Sequence, residues 1–196
     1  MKKINYIDYG VGNFLSIKNS LKQIGYVLNV VDNPSKFDFN LHTILPGVGN
    51  FDYCIEKLKK NNFFEFFKNN KNFEKNVIGI CVGMQLFFEK SEESKNQIGL
   101  GIFEGEVVNL GNLGDFITPV IGWKKIIGNK ENNIFNKKYY FIHSYGNISC
   151  SNTISYYQLN GVNISAIVKK KNFIGLQFHP EKSGPDGLKL LDEYLK

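Results

Sequence analysis

Apolar residues in the first half of the chain follow two patterns in turn, one typical of buried strands and one typical of amphipathic helices. A short apolar run at 4–8 predicts a strand that leads into a glycine-rich loop. Phe14, Ile17 and Leu21 then recur at helical spacing, and Gly25 is suited to end a helix. The first elements are therefore a strand, a loop and a helix.

The same alternation continues through the following segments. Strands are predicted at 27–31, 41–45 and 77–80, and helical segments at 51–58, at 63–67 as a helix or turn, and from 84–88 to an end near 89–93. The phenylalanines of 63–67 are expected to lie in the core. Because short apolar strands alternate with helices, this half is predicted to form a parallel sheet with helices on both faces.

After Gly99 the pattern changes to short apolar or alternating segments. These predict strands, some of them antiparallel, at 101–108, 116–120, 139–143, 153–157, 164–168 and 173–178. A last helix carries Leu188, Leu191 and Leu195 on one face. We expect an α/β fold in a single domain, 1–196, with a mostly parallel central sheet flanked by helices and additional antiparallel strands in the second half.

Apolar run lengths and the first residues bear on the location of the protein. The longest apolar stretch, 77–88, includes Gln85 and is shorter than the roughly 18 residues that a membrane span needs. The first residues are too briefly apolar for a signal peptide. We therefore expect a cytoplasmic protein without membrane association.

Charge and cysteine content exclude several further classes. The formal net charge is +6, but the lysines are dispersed and arginine is absent, so a nucleic-acid partner is not expected. Cys54, Cys81 and Cys150 are odd in number and lack paired spacing, which argues against a disulfide framework or a zinc site. No metal and no cofactor are expected.

Cys81 is the first candidate for chemistry, because it lies between a predicted strand and a predicted helix. Gly79 and Gly83 flank it at two positions on either side, in the form of a nucleophile elbow with cysteine in place of serine. A tight turn of this kind exposes the sulfur at a helix N-terminus and directs the N–H of Val82 to the place where an oxyanion would form. The pentapeptide alone is equally compatible with a buried cysteine in a glycine-rich turn.

His179 and Glu181 are the second candidate pair. Pro180 favours an extended conformation at His179, and residues two apart on an extended chain face the same side. Glu181 would then orient the imidazole as a general base. A single histidine is more often structural, but the cysteine elbow favours the catalytic interpretation. His42 is assigned a structural role in a buried strand, whereas His143 ends a strand and is a candidate for substrate binding.

The turn after the third predicted strand is the last candidate. Gly47 and Gly49 flank Val48, and such a turn can direct backbone N–H groups outwards into an anion-binding concavity. Turns with two glycines are common, so this feature on its own has a structural explanation.

Taken together, the motifs resemble a known family. In chain order they are Asp8-Tyr9-Gly10-Val11-Gly12-Asn13, Leu45-Pro46-Gly47-Val48-Gly49, Gly79-Ile80-Cys81-Val82-Gly83-Met84-Gln85-Leu86, Ser91-Glu92-Glu93, Gly122-Trp123, His143-Ser144-Tyr145 and Gln177-Phe178-His179-Pro180-Glu181. This set, which spans nearly the whole chain, is similar to the glutaminase subunits of imidazole glycerol phosphate synthase, within the class I glutamine amidotransferases.

The resemblance implies a Cys-His-Glu triad that hydrolyses glutamine to glutamate and ammonia through a cysteine thioester. Cys81 would be the nucleophile, His179 the general base and acid, and Glu181 its orienting carboxylate. The resemblance further implies an oxyanion hole formed by the amides of Val48, Gly49 and Val82. It also implies a glutamine site that consists of Gln85, Glu93, His143, Ser144 and Tyr145. A peptide flip driven by the partner is one way in which the 46–49 strand would supply its amide.

The lack of arginine changes the expected mode of glutamine binding, because guanidinium is the preferred clamp for carboxylates. Backbone amides near Ser144 and Tyr145 are expected to hold the α-carboxylate. Glu93, or a carbonyl group, is expected to receive the ammonium.

The family also implies a heterodimer with a (β/α)8-barrel cyclase subunit. In histidine biosynthesis that subunit uses the ammonia to form imidazole glycerol phosphate and an aminoimidazole carboxamide ribotide. Asn13, Trp123 and Lys182 match positions that lie towards the interface in the family, although Lys182 is equally well explained as a solvated side chain.

The segment from Pro119 to Lys124 departs from the family pattern on either side of Gly122-Trp123. One alternative is therefore a paralogue that supplies ammonia to another synthase, such as a sugar amidotransferase of surface-polysaccharide biosynthesis. A stand-alone hydrolase of γ-glutamyl peptides and a non-catalytic scaffold are two further alternatives.

Overall fold

An eight-stranded sheet forms the centre of the protein in the computed structural model, which describes residues 1–114, 117–128 and 134–196. Two smaller sheets, β10-β6-β5 and β7-β9, accompany it among the described residues. The strands of all three sheets are β1 (Lys2–Ile7), β2 (Tyr26–Val31), β3 (Thr43–Leu45), β4 (Val77–Ile80), β5 (Phe88–Ser91), β6 (Phe103–Asn109), β7 (Val120–Lys125), β8 (Ile127–Gly128), β9 (Lys138–His143), β10 (Tyr145–Gly146), β11 (Thr153–Leu159), β12 (Val162–Lys170) and β13 (Phe173–Leu176). The α-helices are α1 (Phe14–Gln23), α2 (Phe51–Lys60), α3 (Phe63–Asn69), α4 (Val82–Gln85) and α5 (Gly184–Tyr194). Single 3-10 turns occur at Pro34–Lys36, Leu110–Leu113 and Pro180–Lys182.

The strand order in the central sheet is β2-β1-β3-β4-β13-β12-β11-β8. From β2 to β13 every neighbouring pair is parallel. From β13 to β8 every pair is antiparallel. The predicted α/β fold, with a parallel half followed by antiparallel strands, is therefore confirmed.

The burial of the central strands explains why they have almost no polar positions. Every residue of β4 is buried, as are the four residues of β1 that follow Lys2 and Lys3. Helices cover these strands through one apolar face each; α2, for example, buries Phe51, Cys54, Ile55 and Leu58. Removing such side chains from water contributes about 1.5–3 kcal/mol for each large residue.

Some predicted elements differ from the structure. The helix predicted from 84–88 onwards is wrong, because α4 ends at Gln85 and the chain continues as β5, which pairs with β6. The strand predicted at 116–120 instead begins at Val120 and runs to Lys125, where it pairs with β9; Phe116 lies outside the described residues. Residues 63–67 lie in a helix in which Phe63, Phe64 and Phe67 are buried, as expected, and Phe66 is half-buried against the core.

The carboxyl ends of β1, β3, β4 and β13 lie at one edge of the sheet, because these strands are parallel neighbours. Loops at such an edge are the usual location of a site in an α/β sheet. Within the described ranges, no helix is long and apolar enough to cross a membrane. Those residues also contain no group of three or more His, Cys, Asp or Glu side chains placed to hold a metal ion.

Candidate active site

Cys81 lies on a sharp turn between β4 and α4. Its backbone has φ 56° and ψ −112°, a combination that an L-residue adopts only with strain. A Cβ on Gly79 would lie 2.5 Å from the Gly83 carbonyl oxygen, and a Cβ on Gly83 would lie 2.2 Å from the Leu45 carbonyl oxygen. The two glycines therefore permit both the tight turn and its close packing against β3.

The turn leaves the Cys81 side chain at the wall of a pocket. The residue is 5% exposed, and its Sγ lies 3.9 Å from the Ile142 carbonyl oxygen. Val82 and Gly83 begin α4, so their N–H groups have no acceptor within that helix. Because α4 is only four residues long, the effect of its helix dipole on the Cys81 sulfur is small.

His179 lies between Cys81 and Glu181. Its Nδ1 is 2.7 Å from Oε1 of Glu181, and its ring is also hydrogen-bonded to the Cys81 thiol. Burial alone would lower the pKa of His179, but the hydrogen bonds and negative charge of Cys81 and Glu181 raise it to about 10. The three side chains thus form a connected acid-base chain that favours an imidazolium.

Backbone contacts fix the orientation of this histidine. The His179 N–H donates to the Tyr140 carbonyl at 2.9 Å, and the Ser183 hydroxyl donates to the His179 carbonyl at 2.6 Å. His179 has extended dihedrals, as expected before proline, but Pro180–Lys182 is a 3-10 turn. The alternation of an extended chain is therefore the wrong explanation for the contact, which arises because the turn folds Glu181 back onto the ring.

A pocket of about 360 Å³ opens in front of these residues. Its lining consists of Val48, Gly49, Cys81, Val82, Gln85, Glu93, Pro119, Ile142, His143, Ser144, Tyr145, His179 and Lys182. The structure thus brings the candidate nucleophile and base together with every residue that the sequence suggested for the oxyanion hole and for glutamine binding.

A hydrogen-bonded network forms one wall of the pocket around the Tyr145 carbonyl. This oxygen accepts from Nε2 of Gln85 at 2.9 Å and from Nδ1 of His143 at 2.7 Å. The second N–H of the Gln85 amide donates to Oε1 of Gln177 at 3.1 Å, which leaves the Gln85 amide oxygen for a ligand. The Tyr157 hydroxyl lies 3.1 Å from Nε2 of His143.

The same network sets the charge of His143. Burial lowers the pKa of His143 to about 4, against a smaller opposing effect of the Tyr145 carbonyl. The ring is therefore neutral near pH 7, with its proton on Nδ1, where Tyr145 accepts it, and with Nε2 free to accept from Tyr157. It orients the wall of the pocket and does not act as a second acid.

Glu93 supplies the carboxylate of the pocket. Its Oε2 accepts from the N–H of Phe51, at the beginning of α2, at 2.8 Å. Burial raises the pKa of Glu93, and the Phe51 N–H partly offsets this effect. The other oxygen, Oε1, remains available to a cationic group in the pocket.

The three positions suggested for a partner interface are not all at the site. Lys182 lines the pocket and is exposed. Asn13 precedes α1 and Trp123 lies on β7, and neither lines the pocket. His42 precedes β3, and its Nδ1 accepts from the Asn76 N–H, consistent with the structural role assigned to it.

The structure adds residues that sequence reasoning missed. Tyr157 orients His143, Ile142 offers its carbonyl to Cys81, and Pro119 lines the pocket. No local pattern singles out Tyr157, because a buried tyrosine on an alternating strand is also an ordinary core residue.

Comparison with known proteins places the chain among enzymes of one family. Residues 5–195 match the glutamine amidotransferase class-I family. The imidazole glycerol phosphate synthase subunit HisH of Staphylococcus aureus strain Mu50 is 38% identical over 191 residues, which cover 97% of this chain and 95% of that protein. The subunit of the same name from Prochlorococcus marinus strain MIT 9312 is 38% identical over 202 residues, with 100% and 98% covered.

Solved structures agree on the fold. A glutamine amidotransferase crystal structure superposes with a TM-score of 0.74 at 14% identity, covering 98% of each chain. The PurLQS structure from Thermotoga maritima superposes with a TM-score of 0.65 at 22% identity, covering 100% of this chain and 99% of that one.

Proposed function

This chain belongs to the class I glutamine amidotransferase family, and on that premise we propose that it is the glutaminase subunit of an imidazole glycerol phosphate synthase in histidine biosynthesis. It would hydrolyse glutamine to glutamate and ammonia as a single domain, 1–196, in the cytoplasm. The 38% identity to two synthase subunits over nearly the whole chain supports this synthase over one that amidates sugars.

One observation carries the proposal, namely the continuous contact from Cys81 through His179 to Glu181 beside a pocket of about 360 Å³. Cys81 is assigned as nucleophile, His179 as general base and acid, and Glu181 as the carboxylate that orients the ring. The thiolate is the reactive form of cysteine, and His179 lies beside the sulfur to take up its proton.

The reaction then follows in two steps. The Cys81 sulfur attacks the γ-carboxamide carbon, and the negative charge on the oxygen is met by the N–H groups of Val82 and of the Val48–Gly49 segment. His179 gives its proton to the leaving nitrogen, and ammonia departs as the thioester forms. Water, activated by the now neutral His179, attacks the thioester and releases glutamate and the thiol.

Glutamine binding is assigned to the polar wall of the pocket. The amide oxygen of Gln85 and Oε1 of Glu93, which have no hydrogen-bond partner among the described residues, are assigned as acceptors for the α-ammonium group. The α-carboxylate is assigned to backbone N–H groups at Ser144 and Tyr145, because the chain has no arginine. His143 holds this segment through the Tyr145 carbonyl.

The partner proposed for this subunit is a (β/α)8-barrel cyclase that receives the ammonia. Ile121 and Trp123 on β7 face Ile142 and Tyr140 on β9, and three of these side chains, Ile121, Trp123 and Ile142, are exposed apolar groups. Ile142 also lines the pocket, so this apolar face adjoins the active site. Asn13 and Lys182 are assigned to the same interface.

Replacement of Cys81 by alanine tests the assignment. We expect Cys81→Ala to abolish glutamine-dependent synthesis by the complex, because no nucleophile remains, while ammonium-dependent synthesis by the cyclase is retained. The two rates are measured with the purified chain alone and with a barrel cyclase plus its nucleotide ligand.

A matched control is Cys150→Ala, which removes another buried thiol that does not line the pocket. Unchanged glutamine use by Cys81→Ala would refute the nucleophile. Full glutaminase activity of the isolated chain would favour a stand-alone hydrolase.

A further inference from the structure

Two buried side chains hold the loop that faces Cys81. The Tyr9 hydroxyl donates to the Pro46 carbonyl at 2.7 Å, and the Cys54 thiol donates to the Val48 carbonyl at 3.5 Å. Tyr9 follows β1 and Cys54 lies on α2, so the two bonds tie the loop to two different elements. The loop is thus anchored on both sides of the peptide that joins Gly47 to Val48.

The two anchoring groups are buried hydrogen-bond donors that are also hydrogen-bonded to each other. Tyr9 is 1% exposed and Cys54 is fully buried, and neither lines the pocket. Burial raises the pKa of the Cys54 thiol to about 11 and also raises the pKa of the Tyr9 hydroxyl. The two side chains therefore stay protonated near pH 7 and have no part in the acid-base chemistry of Cys81.

The peptide between the two anchors has no comparable restraint. No hydrogen bond within the described ranges involves the Gly47 carbonyl or the Val48 N–H. This peptide packs directly on the elbow, since a Cβ on Gly47 would lie 2.3 Å from the backbone nitrogen of Gly83. This unbonded peptide therefore lies against the turn that carries Cys81.

We propose that Tyr9 and Cys54 are positioning residues of the oxyanion hole. By fixing the carbonyls of Pro46 and Val48, they present the intervening Val48 N–H to the oxygen of the tetrahedral intermediate. This inference rests on the proposed function, because it assigns a role in glutamine hydrolysis to groups that touch neither the substrate nor Cys81.

A role of this kind affects the transition state more than substrate binding. The oxyanion forms only after attack by sulfur, whereas the pocket wall that binds glutamine lies on other segments. Loss of either anchor should therefore lower kcat and leave KM almost unchanged. It should also spare any reaction of Cys81 that forms no oxyanion.

The test uses Tyr9→Phe and Cys54→Ala in the complex with the barrel cyclase. We expect each substitution to lower kcat for glutamine hydrolysis about tenfold, below the loss for removal of a direct donor, with KM within twofold. Cys54→Ser should recover part of the loss because it restores a donor. The matched control is Tyr26→Phe, which removes an equal 2.7 Å bond from a buried tyrosine hydroxyl to a backbone carbonyl, that of Leu195, remote from the site.

A second measurement separates positioning from general damage. Iodoacetamide alkylates the Cys81 sulfur by displacing iodide, and no oxyanion forms, so its rate should be unchanged in Tyr9→Phe and Cys54→Ala. The inference would be overturned in favour of a structural role if kcat fell as much in Tyr26→Phe as in Tyr9→Phe. It would also be overturned if Tyr9→Phe and Cys54→Ala showed slower alkylation together with lower kcat. Unchanged kcat in both variants would overturn it as well.

The outcome also distinguishes this inference from the function on which it rests. If the unsubstituted protein hydrolyses no glutamine with or without the cyclase, both are overturned. If it hydrolyses glutamine and the variants do so equally well, only the positioning role is overturned. If Tyr9→Phe does not fold, the comparison of Cys54→Ala with Cys54→Ser decides the question.

Discussion

The two buried histidines of the site differ in protonation state because their neighbours differ. His179 faces Glu181 and Cys81, which raise its pKa to about 10 in spite of burial, whereas burial lowers the pKa of His143 to about 4. The stabilisation from His179 is fully present below pH 6.5 and is lost as the pH rises towards 10. One ring is therefore held protonated and the other neutral at the same pH.

His143 makes the protein sensitive to acid. The unfolded chain binds this proton near pH 6.5 and the folded protein only near pH 4, so the unfolded state takes up more protons between these values. We expect the free energy of unfolding to fall as the pH drops through this window, with a contribution on the order of 3 kcal/mol from this group. Urea denaturation at a series of pH values from 7 to 4 measures the total fall in the free energy of unfolding.

The variant His143→Asn isolates the contribution, because its amide can still donate to the Tyr145 carbonyl but does not titrate. The fall in stability between pH 6.5 and pH 4 should be smaller in the variant than in the unsubstituted protein. Parallel curves for the two proteins would contradict the buried, neutral state of this ring.

At the scale of elements, the elbow depends on the absence of side chains where β3 and β4 meet α4. A Cβ at Gly83 would lie 2.2 Å from the Leu45 carbonyl oxygen, which belongs to a paired strand and cannot move aside easily. We expect Gly83→Ala to lower the free energy of unfolding by about 2–3 kcal/mol and to displace Cys81 from His179. Chemical denaturation and the glutaminase rate test the two effects.

A glycine at which an added side chain would meet less steric conflict provides the control for this prediction. A Cβ at Gly111 would come no closer than 3.2 Å, to the side chain of Asn109. Gly111→Ala should therefore cost much less stability and leave the rate intact. Equal stability of the two variants would show that the close packing at the elbow is not required.

The sequence predicts an element correctly where the burial that the fold imposes agrees with the local pattern of apolar residues. The strand before Cys81 and the last helix were predicted from apolar periodicity. Of the three leucines assigned to the buried face of that helix, Leu191 is buried in α5, Leu195 is buried just after its end, and Leu188 is only half-buried. The segment after Gln85 was misassigned, since its apolar run suits a helix, yet Phe88 pairs with Phe103 of β6. That pairing depends on a segment far along the chain, which local periodicity does not report.

At the scale of the whole molecule, the parallel strand order explains how distant motifs meet. Cys81 follows β4 and His179 follows β13, and these strands are direct neighbours. The sequence supplied the chemistry of each motif but not the strand order, so the contact was an expectation until the sheet was known. The sequence likewise does not reveal a role for Tyr9 and Cys54, because that role depends on their contacts with the loop after β3.

The outer face of β7 and β9 shows how the enzyme would meet its proposed partner. Trp123 is 53% exposed, stands in edge contact with Tyr140, and lies on the same face as Ile121 and Ile142. Apolar side chains that share one face beside an active site suit a contact surface for another protein. Trp123 is the largest of these groups, and large aromatic residues often dominate binding energy.

Trp123→Ala is expected to weaken association with the barrel cyclase by about 2 kcal/mol, or roughly thirtyfold in Kd. The melting temperature of the free chain should hardly change, because half of the side chain is already in water. Ile98→Ala is the control, since Ile98 is equally exposed at 53% but lies in the loop between β5 and β6. Titration calorimetry gives both affinities. Equal Kd values for the two variants would show that the partner does not bind at β7, and would have no bearing on the proposed triad.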